Sequence, residues 1–551
     1  MSGQDFDVLI IGAGIYGAAA AWDAVSRGLS VALIDKGDFG GATSSNSLKI
    51  IHGGLRYLQS LDVDRMRESI RERRNLMAIA PHQVHPLRCI LPTSGFLMNG
   101  KPVMRLGLLM NDIIGFDRNR IQDPQKRIPA GKVVSKETCM GMIPGLDGRK
   151  VTGGALWTDG QVYSTERFLL DFVISAERAG AVCANYVEAS DFLKDKNGIR
   201  GVVAKDGLTG KTFGIQSKMV LNAAGGWVDC LLEKGVSSRK RVNLSTAMNL
   251  VIGRDILPDC AVGLTSRFTF RREDGRDYHG KRVLFMTPWR RFTLAGTFHR
   301  PYRGQPDDLL VSETEIRSCL DDINGAYPGT PIRREDVTFF YKGFLPMDGV
   351  NPKTGEVRLT RHYRIHDHEK EDGIRGLISV VGVKYTTARD VAQRAVDMVA
   401  AKLKKKTGQS ISRKTPIAGG DIEWFGTFLS EASRTDTSGL SSVVVRHLVY
   451  QYGSEYKRIL DYAVKHPIWK KVMPGSQEVI AAEVIHAVRE EAAVTLSDVI
   501  RRRTDLGAAG DPGDDCLKAC AALMARELGW DEKREHKEIQ NTKSAYVPKN
   551  A

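Results

Sequence analysis

The chain opens on a change of hydrophobic period. Val8 to Ile11 is a continuous apolar run, the pattern of a strand buried on both faces. It leads into Gly12-Ala13-Gly14-Ile15-Tyr16-Gly17 and then into Ala-rich sequence that predicts a helix. A second apolar run, Leu29 to Ile34, ends on the acid Asp35. Strand, glycine turn, helix, strand and acid together make the βαβ unit that binds a dinucleotide. Gly12 permits the tight turn, Gly14 lets the backbone approach a pyrophosphate, and Gly17 lets helix and strand pack closely. The helix N-terminus offers unpaired N–H groups and the positive end of its dipole to phosphate. Asp35 is placed to accept hydrogen bonds from the adenosine ribose.

The pattern then alternates between small polar stretches and apolar runs. Gly40 to Ser47 and Lys49 to Tyr57, rich in glycine and hydroxyl groups, predict a loop wrapped around the cofactor with backbone N–H groups turned toward it. Asp62 to Met77 reads as a charged amphipathic helix. Pro102 to Phe116 is apolar and Met-rich, with Arg105, Arg118 and Arg120 close by, and supports two readings. One is an interfacial helix with basic groups toward lipid headgroups; the other is a core helix of a second domain. A strand near Met219 runs into Asn222-Ala223-Ala224-Gly225-Gly226-Trp227, small residues that suit a backbone passing close to a nucleotide. Asn249 to Ile252, Arg282 to Met286 and Phe292 to Gly296 predict an antiparallel sheet. Leu377 to Val381 is another strand, and Gly382-Val383-Lys384-Tyr385-Thr386-Thr387 is a second glycine turn opening a helix.

The dinucleotide domain is therefore expected in pieces, residues 1–85, 150–235 and 370–401, with a sheet domain (86–149 and 236–369) inserted between them. Residues 402–421, with Lys402, Lys404, Lys405 and Lys406, read as a solvated linker. Residues 422–551 turn helical, with helices expected over Ser442–Ala463, Gln477–Arg503 (capped near Gly507) and Asp515–Leu528, then a loose Lys- and Glu-rich tail.

Composition narrows the partners. The chain has 551 residues and a net charge of +15, which favours anionic partners such as acidic lipid or a phosphorylated substrate. Nucleic acid would need basic residues interleaved with aromatics or a known module, and neither is found. The eight cysteines form no CxxC pair, which argues against zinc, iron–sulfur and disulfides; no metal is expected. With no apolar run of about 18 residues and the first strand at the N-terminus, the expected location is the cytoplasm, including the inner face of a membrane.

Taken together, several motifs resemble the FAD-dependent glycerol-3-phosphate dehydrogenases and oxidases. They are the Gly12–Gly17 turn with Trp22-Asp23-Ala24 and Arg27-Gly28, Ser44-Ser45, and Lys49-Ile50-Ile51-His52-Gly53-Gly54-Leu55-Arg56-Tyr57-Leu58. Asn222–Gly225, the Gly382–Lys384 turn, Ala487–Glu491 and Arg501-Arg502-Arg503-Thr504 complete the set. The resemblance implies an α/β fold: a Rossmann-type FAD-binding domain, an inserted mixed or antiparallel-sheet substrate domain and a C-terminal helical domain.

For the cofactor, the resemblance implies FAD, held by Gly12, Ala13, Gly14, Ile15, Tyr16, Gly17, Asp35, Lys36, Thr43, Ser44, Ser45, Lys49, His52, Gly53, Gly54 and Leu55. Val187, Ala223, Ala224, Gly225, Trp227, Gly382, Lys384 and Thr386 are expected to complete that site. For the reaction it implies hydride transfer from C2–H of a phosphorylated alcohol to flavin N5, with electrons passing to quinone; it leaves a homodimer open. Arg56, Tyr57, Arg361 and Lys384 form the implied substrate-side set, and His299, His52 and His362 are alternatives for the base. Three positions depart from the family pattern. An arginine is expected where Leu345 stands, Thr297-Phe298-His299 replaces Thr-Thr-Asp, and a histidine expected near the phosphate is Asn249. These departures keep open a different substrate, such as an amino or hydroxy acid. A flavoprotein whose basic surface binds RNA or another partner is a third possibility.

Overall fold

The computed structural model describes all residues except 2, 96–99, 237–238, 272–275, 330, 435–438 and 550–551. Its first sheet runs in the order Arg364–Asp367, Leu377–Val381, Thr212–Asn222, Asp5–Ile11, Val31–Ile34 and Val182–Ala184. All neighbours in this row are parallel except the edge strand Arg364–Asp367. The central strand Asp5–Ile11 is buried beyond its first residue, as its unbroken apolar run requires. The helix Ile15–Ser26 is walled in by the helices Thr165–Arg178 and Ala388–Leu403. Its Ala18–Ala21 run supplies the small side chains that so close an approach needs.

The second sheet is ten-stranded and largely antiparallel. At its centre Asn243–Ile252 lies between Phe292–Tyr302 and Val337–Val350, with Asp277–Trp289 and Ala261–Arg271 following beyond Phe292–Tyr302. The helix Glu313–Ala326, opened by a Ser312/Glu315 capping box, packs against one face through Ile316, Cys319, Leu320 and Ile323. The strand pairings cut across the residue boundaries drawn from sequence, since Gly153–Val162 pairs with Val84–Thr93 in this second sheet.

The C-terminal part is helical, with three corrections to the sequence reading. Ser442–Ala463 is broken into Ser442–Tyr452 and Tyr456–Lys465, because Gly453 has φ +55° and packs so tightly on Gly419 that an added Cβ would lie 1.9 Å from its carbonyl oxygen. Gln477–Arg503 is interrupted after Ala481–Glu490, where Ala492 takes φ +53° and a new helical turn starts at a Thr495/Asp498 capping box. The break places the buried Glu491 carboxylate on Arg167 (2.5 Å) and His486 (3.2 Å). The tail is not loose: Glu532–Ser544 is a helix capped by Asp531, and its buried Glu538 accepts from the Leu496 N–H at 3.0 Å. Tyr546 then donates to the Gly507 carbonyl at 3.0 Å.

This domain grips the cofactor domain through charge. Arg503 forks both oxygens of buried Asp38 at 2.7 Å each, and Arg502 also bonds Asp38. The carboxylate, held far below its ordinary range by these two guanidinium groups despite its burial, anchors the turn Gly37–Gly41 that follows Asp35. The lysine run is only partly a solvated linker. Lys402 is bonded to Asp367 and Glu369 and Lys405 to Asp7, so the segment is tied to the first sheet.

Candidate active site

The first glycine turn is shaped by close approach. Gly12 has φ +95°, and a Cβ there would stand 2.8 Å from the Ala223 carbonyl oxygen, which is how the Asp5 and Thr212 strands meet. A Cβ on Gly17 would lie 1.8 Å from the Gly12 carbonyl oxygen, so the helix can start only with glycine here. Gly14 is open by comparison, with Ser44 Oγ the one atom near its vacant Cβ position, at 3.3 Å. That hydroxyl accepts from the Ile15 N–H at 3.0 Å, and no side chain caps the helix at Gly14.

Asp35 accepts from the Ala13 N–H (2.7 Å) and the Gly37 N–H (2.9 Å), and burial raises its pKa to about 6. Its own carbonyl accepts from the Val187 N–H at 2.7 Å. Lys36 pairs with Asp307 at 2.5 Å and lies 4.6 Å over the ring of Trp227, whose indole N–H also donates to Asp307. Thr43 Oγ1 accepts from the Phe344 N–H at 2.9 Å, fastening the wrapping loop to the second sheet, while Ser45 closes the loop on the Gly40 carbonyl at 2.6 Å. Ala224 follows Asn222, whose side-chain oxygen accepts its N–H at 3.2 Å, and Gly225 has φ +56°.

The second glycine turn is docked on the first. A Cβ on Gly382 would fall 2.1 Å from the ring of Tyr16. The Tyr16 hydroxyl donates to the Lys384 carbonyl at 2.6 Å and accepts from the Val383 and Lys384 N–H groups at 3.1 Å each. Thr386 is buried just beyond, before the helix Ala388–Leu403. The Lys384 ammonium is buried with no hydrogen-bond partner among the described residues, 4.6 Å over the Tyr57 ring and 4.0 Å from Glu68 Oε2. Burial, with the charge of Arg65, lowers its pKa to about 8, while Glu68 and Asp62 favour the ammonium.

His52, Gly53, Gly54 and Leu55 form the turn into a short 3-10 helix carrying Arg56 and Tyr57. Asp159 holds this turn: it accepts from the Gly53 N–H (2.5 Å), from Arg73 (2.5 Å) and from the Trp157 indole (2.9 Å). His52 Nε2 stands 3.5 Å from the Tyr57 hydroxyl, and burial pushes its pKa down to about 4. His299, on the Phe292 strand, is likewise pushed down to about 4, by burial and then by Arg56 and Arg282. Both imidazoles are neutral proton acceptors at pH near 7. Arg56 and Arg361 are exposed and have no hydrogen-bond or ion-pair partner among the described residues. His362, also exposed, lies 3.4 Å from Asp62.

Two expected contributors are placed differently from the rest. Lys49 is sealed in the interior, bonded to Thr165 Oγ1 (2.9 Å) and to both oxygens of Glu166 (3.0 and 2.9 Å), where it links the wrapping loop to the Thr165 helix. Asn249 is buried on Thr297 Oγ1 at 2.7 Å. Asp159, Arg73, Glu68 and the Asp38 clamp escaped the sequence reading, because each acts through a partner distant in the chain.

Residues 7–388 match the FAD dependent oxidoreductase family, and residues 410–535 match the C-terminal domain of alpha-glycerophosphate oxidase. The chain belongs to the FAD dependent oxidoreductase family. The glycerol-3-phosphate dehydrogenase of Synechocystis sp. is 31% identical over 97% of this chain and 95% of its own length. The mitochondrial glycerol-3-phosphate dehydrogenase of Homo sapiens is 30% identical over 98% of this chain and 73% of its own. Among solved structures, the glycerol-3-phosphate dehydrogenase from Bacillus halodurans complexed with FAD is 26% identical with a TM-score of 0.75, covering 99% of this chain and 95% of that one.

This FAD-dependent oxidoreductase has a donor set that fits its cofactor. The helix N-terminus at Gly14, with the Ser44 hydroxyl on the Ile15 N–H, suits the pyrophosphate, and Asp35 at the end of its strand suits the ribose. Lys384 brings a positive charge to the turn at the far end. If Lys384 binds anionic substrate as its ammonium, KM should rise as pH climbs past about 8. Glu68→Gln removes the carboxylate that favours the ammonium, so the rise should begin at lower pH. Identical KM–pH profiles in the two enzymes would contradict this role for the pair.

Proposed function

We propose that the protein oxidises the secondary alcohol of sn-glycerol 3-phosphate, or a related polyol phosphate, to the ketone and passes the electrons to a quinone. One observation carries the reading: the buried Lys384 ammonium, with no hydrogen-bond partner among the described residues, and the exposed guanidinium of Arg56 both act on the neutral imidazole of His52, and Arg56 acts on that of His299 as well. A site with excess positive charge and a neutral base suits an anionic alcohol. The relatives' names point to the same substrate. Bound FAD supplies the acceptor for the C2 hydride.

The protein's own residues do the rest. Arg56 and Arg361 present guanidinium forks to the incoming phosphate. His299 takes the hydroxyl proton on its neutral imidazole. Lys384 stabilises negative charge at the oxygen as that proton leaves. Anaerobic addition of glycerol 3-phosphate should bleach the visible flavin band of the holoenzyme. His299→Ala should keep the flavin and reduce it about 100-fold more slowly or worse. Absence of bleaching by every phosphorylated polyol would reject the reading. Because Leu345 stands where the family pattern has an arginine, amino and hydroxy acids belong in the same panel, and bleaching by one of these alone would favour the second reading.

The helix Lys101–Ile114 supports a membrane-side acceptor. No helix among the described residues is long and apolar enough to cross a membrane. This one nevertheless exposes Leu106, Leu109 and Ile113 along one face, continued by Phe116 at 70% exposure. It packs beside the Arg56 segment, whose end exposes Leu61 and Val63. Such a face, flanked by Lys101, Arg105 and Arg120, fits an anionic lipid surface near the catalytic mouth. The holoenzyme should sediment with anionic liposomes and be reoxidised by a quinone dissolved in them. Leu109→Asp with Ile113→Asp should abolish sedimentation without slowing flavin reduction; unchanged sedimentation would refute the contact.

A further inference from the structure

The C-terminal motifs at 487–491 and 501–504 have no part in the chemistry proposed above, yet their charged residues Glu491 and Arg503 are almost fully buried. The two meet: Arg503 Nε donates to the Glu491 carbonyl at 3.0 Å, while the Glu491 carboxylate takes Arg167 of the Thr165 helix. From this seam four contacts converge on residues 37–41 and the strand beside them. Arg503 forks the Asp38 carboxylate, and Arg502 bonds it too while holding Asp498 at 2.7 Å. The Asn185 amide donates to both Asp38 Oδ1 and the Ala492 carbonyl, at 2.9 Å each. The Tyr186 hydroxyl donates to Asp498 at 2.6 Å, and the Tyr186 N–H holds the Gly37 carbonyl at 2.9 Å.

The turn gripped in this way is bonded on its other side to the adenosine end of the cofactor site. The Gly37 and Ala13 N–H groups both donate to the Asp35 carboxylate. The Gly40 N–H donates to the Ala13 carbonyl at 3.0 Å, and Ser45 of the wrapping loop closes on the Gly40 carbonyl. One turn of five residues therefore joins the C-terminal helices to the residues that suit the ribose and the pyrophosphate.

We propose that Arg502 and Arg503 are positioning residues for FAD: they act through Asp38, so that docking of the C-terminal helices sets how tightly the adenosine end is held. Neither arginine has to touch the cofactor. Without Arg503 the Asp38 charge stays buried and short of partners, and movement of the turn toward water relieves it. Such movement carries the Gly37 and Gly40 N–H groups away from Asp35 and Ala13. The coupling runs both ways, because the factor that docking adds to FAD affinity is the factor that bound FAD adds to docking. It depends on FAD as the cofactor and is independent of which alcohol the flavin oxidises.

The test is equilibrium titration of the deflavinated full-length chain with FAD, followed by flavin fluorescence. Arg503→Met should weaken FAD binding about 10–100-fold. Arg503→Lys keeps the charge but loses the fork, and its affinity should fall between that variant and the unaltered protein. Tyr186→Phe, a milder change that spares the buried charges, should weaken binding a few-fold. Arg489→Met breaks an ion pair to Glu527 that lies wholly within the C-terminal helices and should leave FAD affinity unchanged. Hydrogen exchange on the unaltered protein gives the reciprocal readout. Removing FAD should speed exchange at the Val499–Arg503 amides and leave the Asp514–Leu528 helix as it was. FAD affinity unchanged in Arg503→Met or Tyr186→Phe, or weakened as much by Arg489→Met, would overturn the role. Exchange at Val499–Arg503 that is indifferent to FAD would overturn it as well.

Discussion

The contact on which the site depends is the docking of Tyr16 onto the Gly382–Lys384 turn. Its ring occupies the space a side chain at 382 would need, and its hydroxyl makes one donated and two accepted hydrogen bonds to a backbone more than 360 residues away. Burial pushes the phenol's pKa well up, so it remains a donor across the working pH range. Because the same turn carries Lys384, the position of that ammonium is set from the first glycine turn. One side chain thus ties the first glycine turn to the second, while the second sheet fastens the wrapping loop through Phe344 and the Gly53 turn through Asp159.

A second layer of constraint is electrostatic. Asp38, Asp159 and Glu166 are buried carboxylates that each take a buried cation: Arg503, Arg73 and Lys49. Removing one partner from such a pair is costly because it leaves the other charge buried and uncompensated, so the loops these pairs tie down are held firmly. Lys384 stands apart from that pattern. It is buried with a carboxylate at 4.0 Å and makes no hydrogen bond among the described residues. The three paired cations each hydrogen-bond a carboxylate; Lys384 does not.

Much of the cofactor site was legible in sequence because its constraints are local. Glycine at 12 and 17 is required by contacts within a few residues or with the adjacent strand, and a buried parallel strand announces itself as an unbroken apolar run. The C-terminal helices were less legible. Their breaks at Gly453 and Glu491 answer to Gly419 and Arg167, and the terminal helix is held by a buried contact to Leu496. Whether the apolar face of Lys101–Ile114 is covered was undecidable from its pattern, since an amphipathic helix reads alike whether that face meets a core or stays open; here it is exposed. The surroundings of the His52 turn and of Lys384 were least legible. Asp159 and Glu68 act on partners far away in the chain, and spacing carries no signal of them.

The central claim is that the Lys384 turn, His299 and the Arg56 segment enclose one site in which the C2–H bond of a phosphorylated alcohol is broken. The most direct measurement is anaerobic stopped-flow reduction of the holoenzyme by glycerol 3-phosphate deuterated at C2, compared with the unlabelled compound. The account predicts slower flavin reduction with the deuterated substrate, with binding affinity unchanged. Equal reduction rates in an experiment where chemistry limits the observed phase would contradict it.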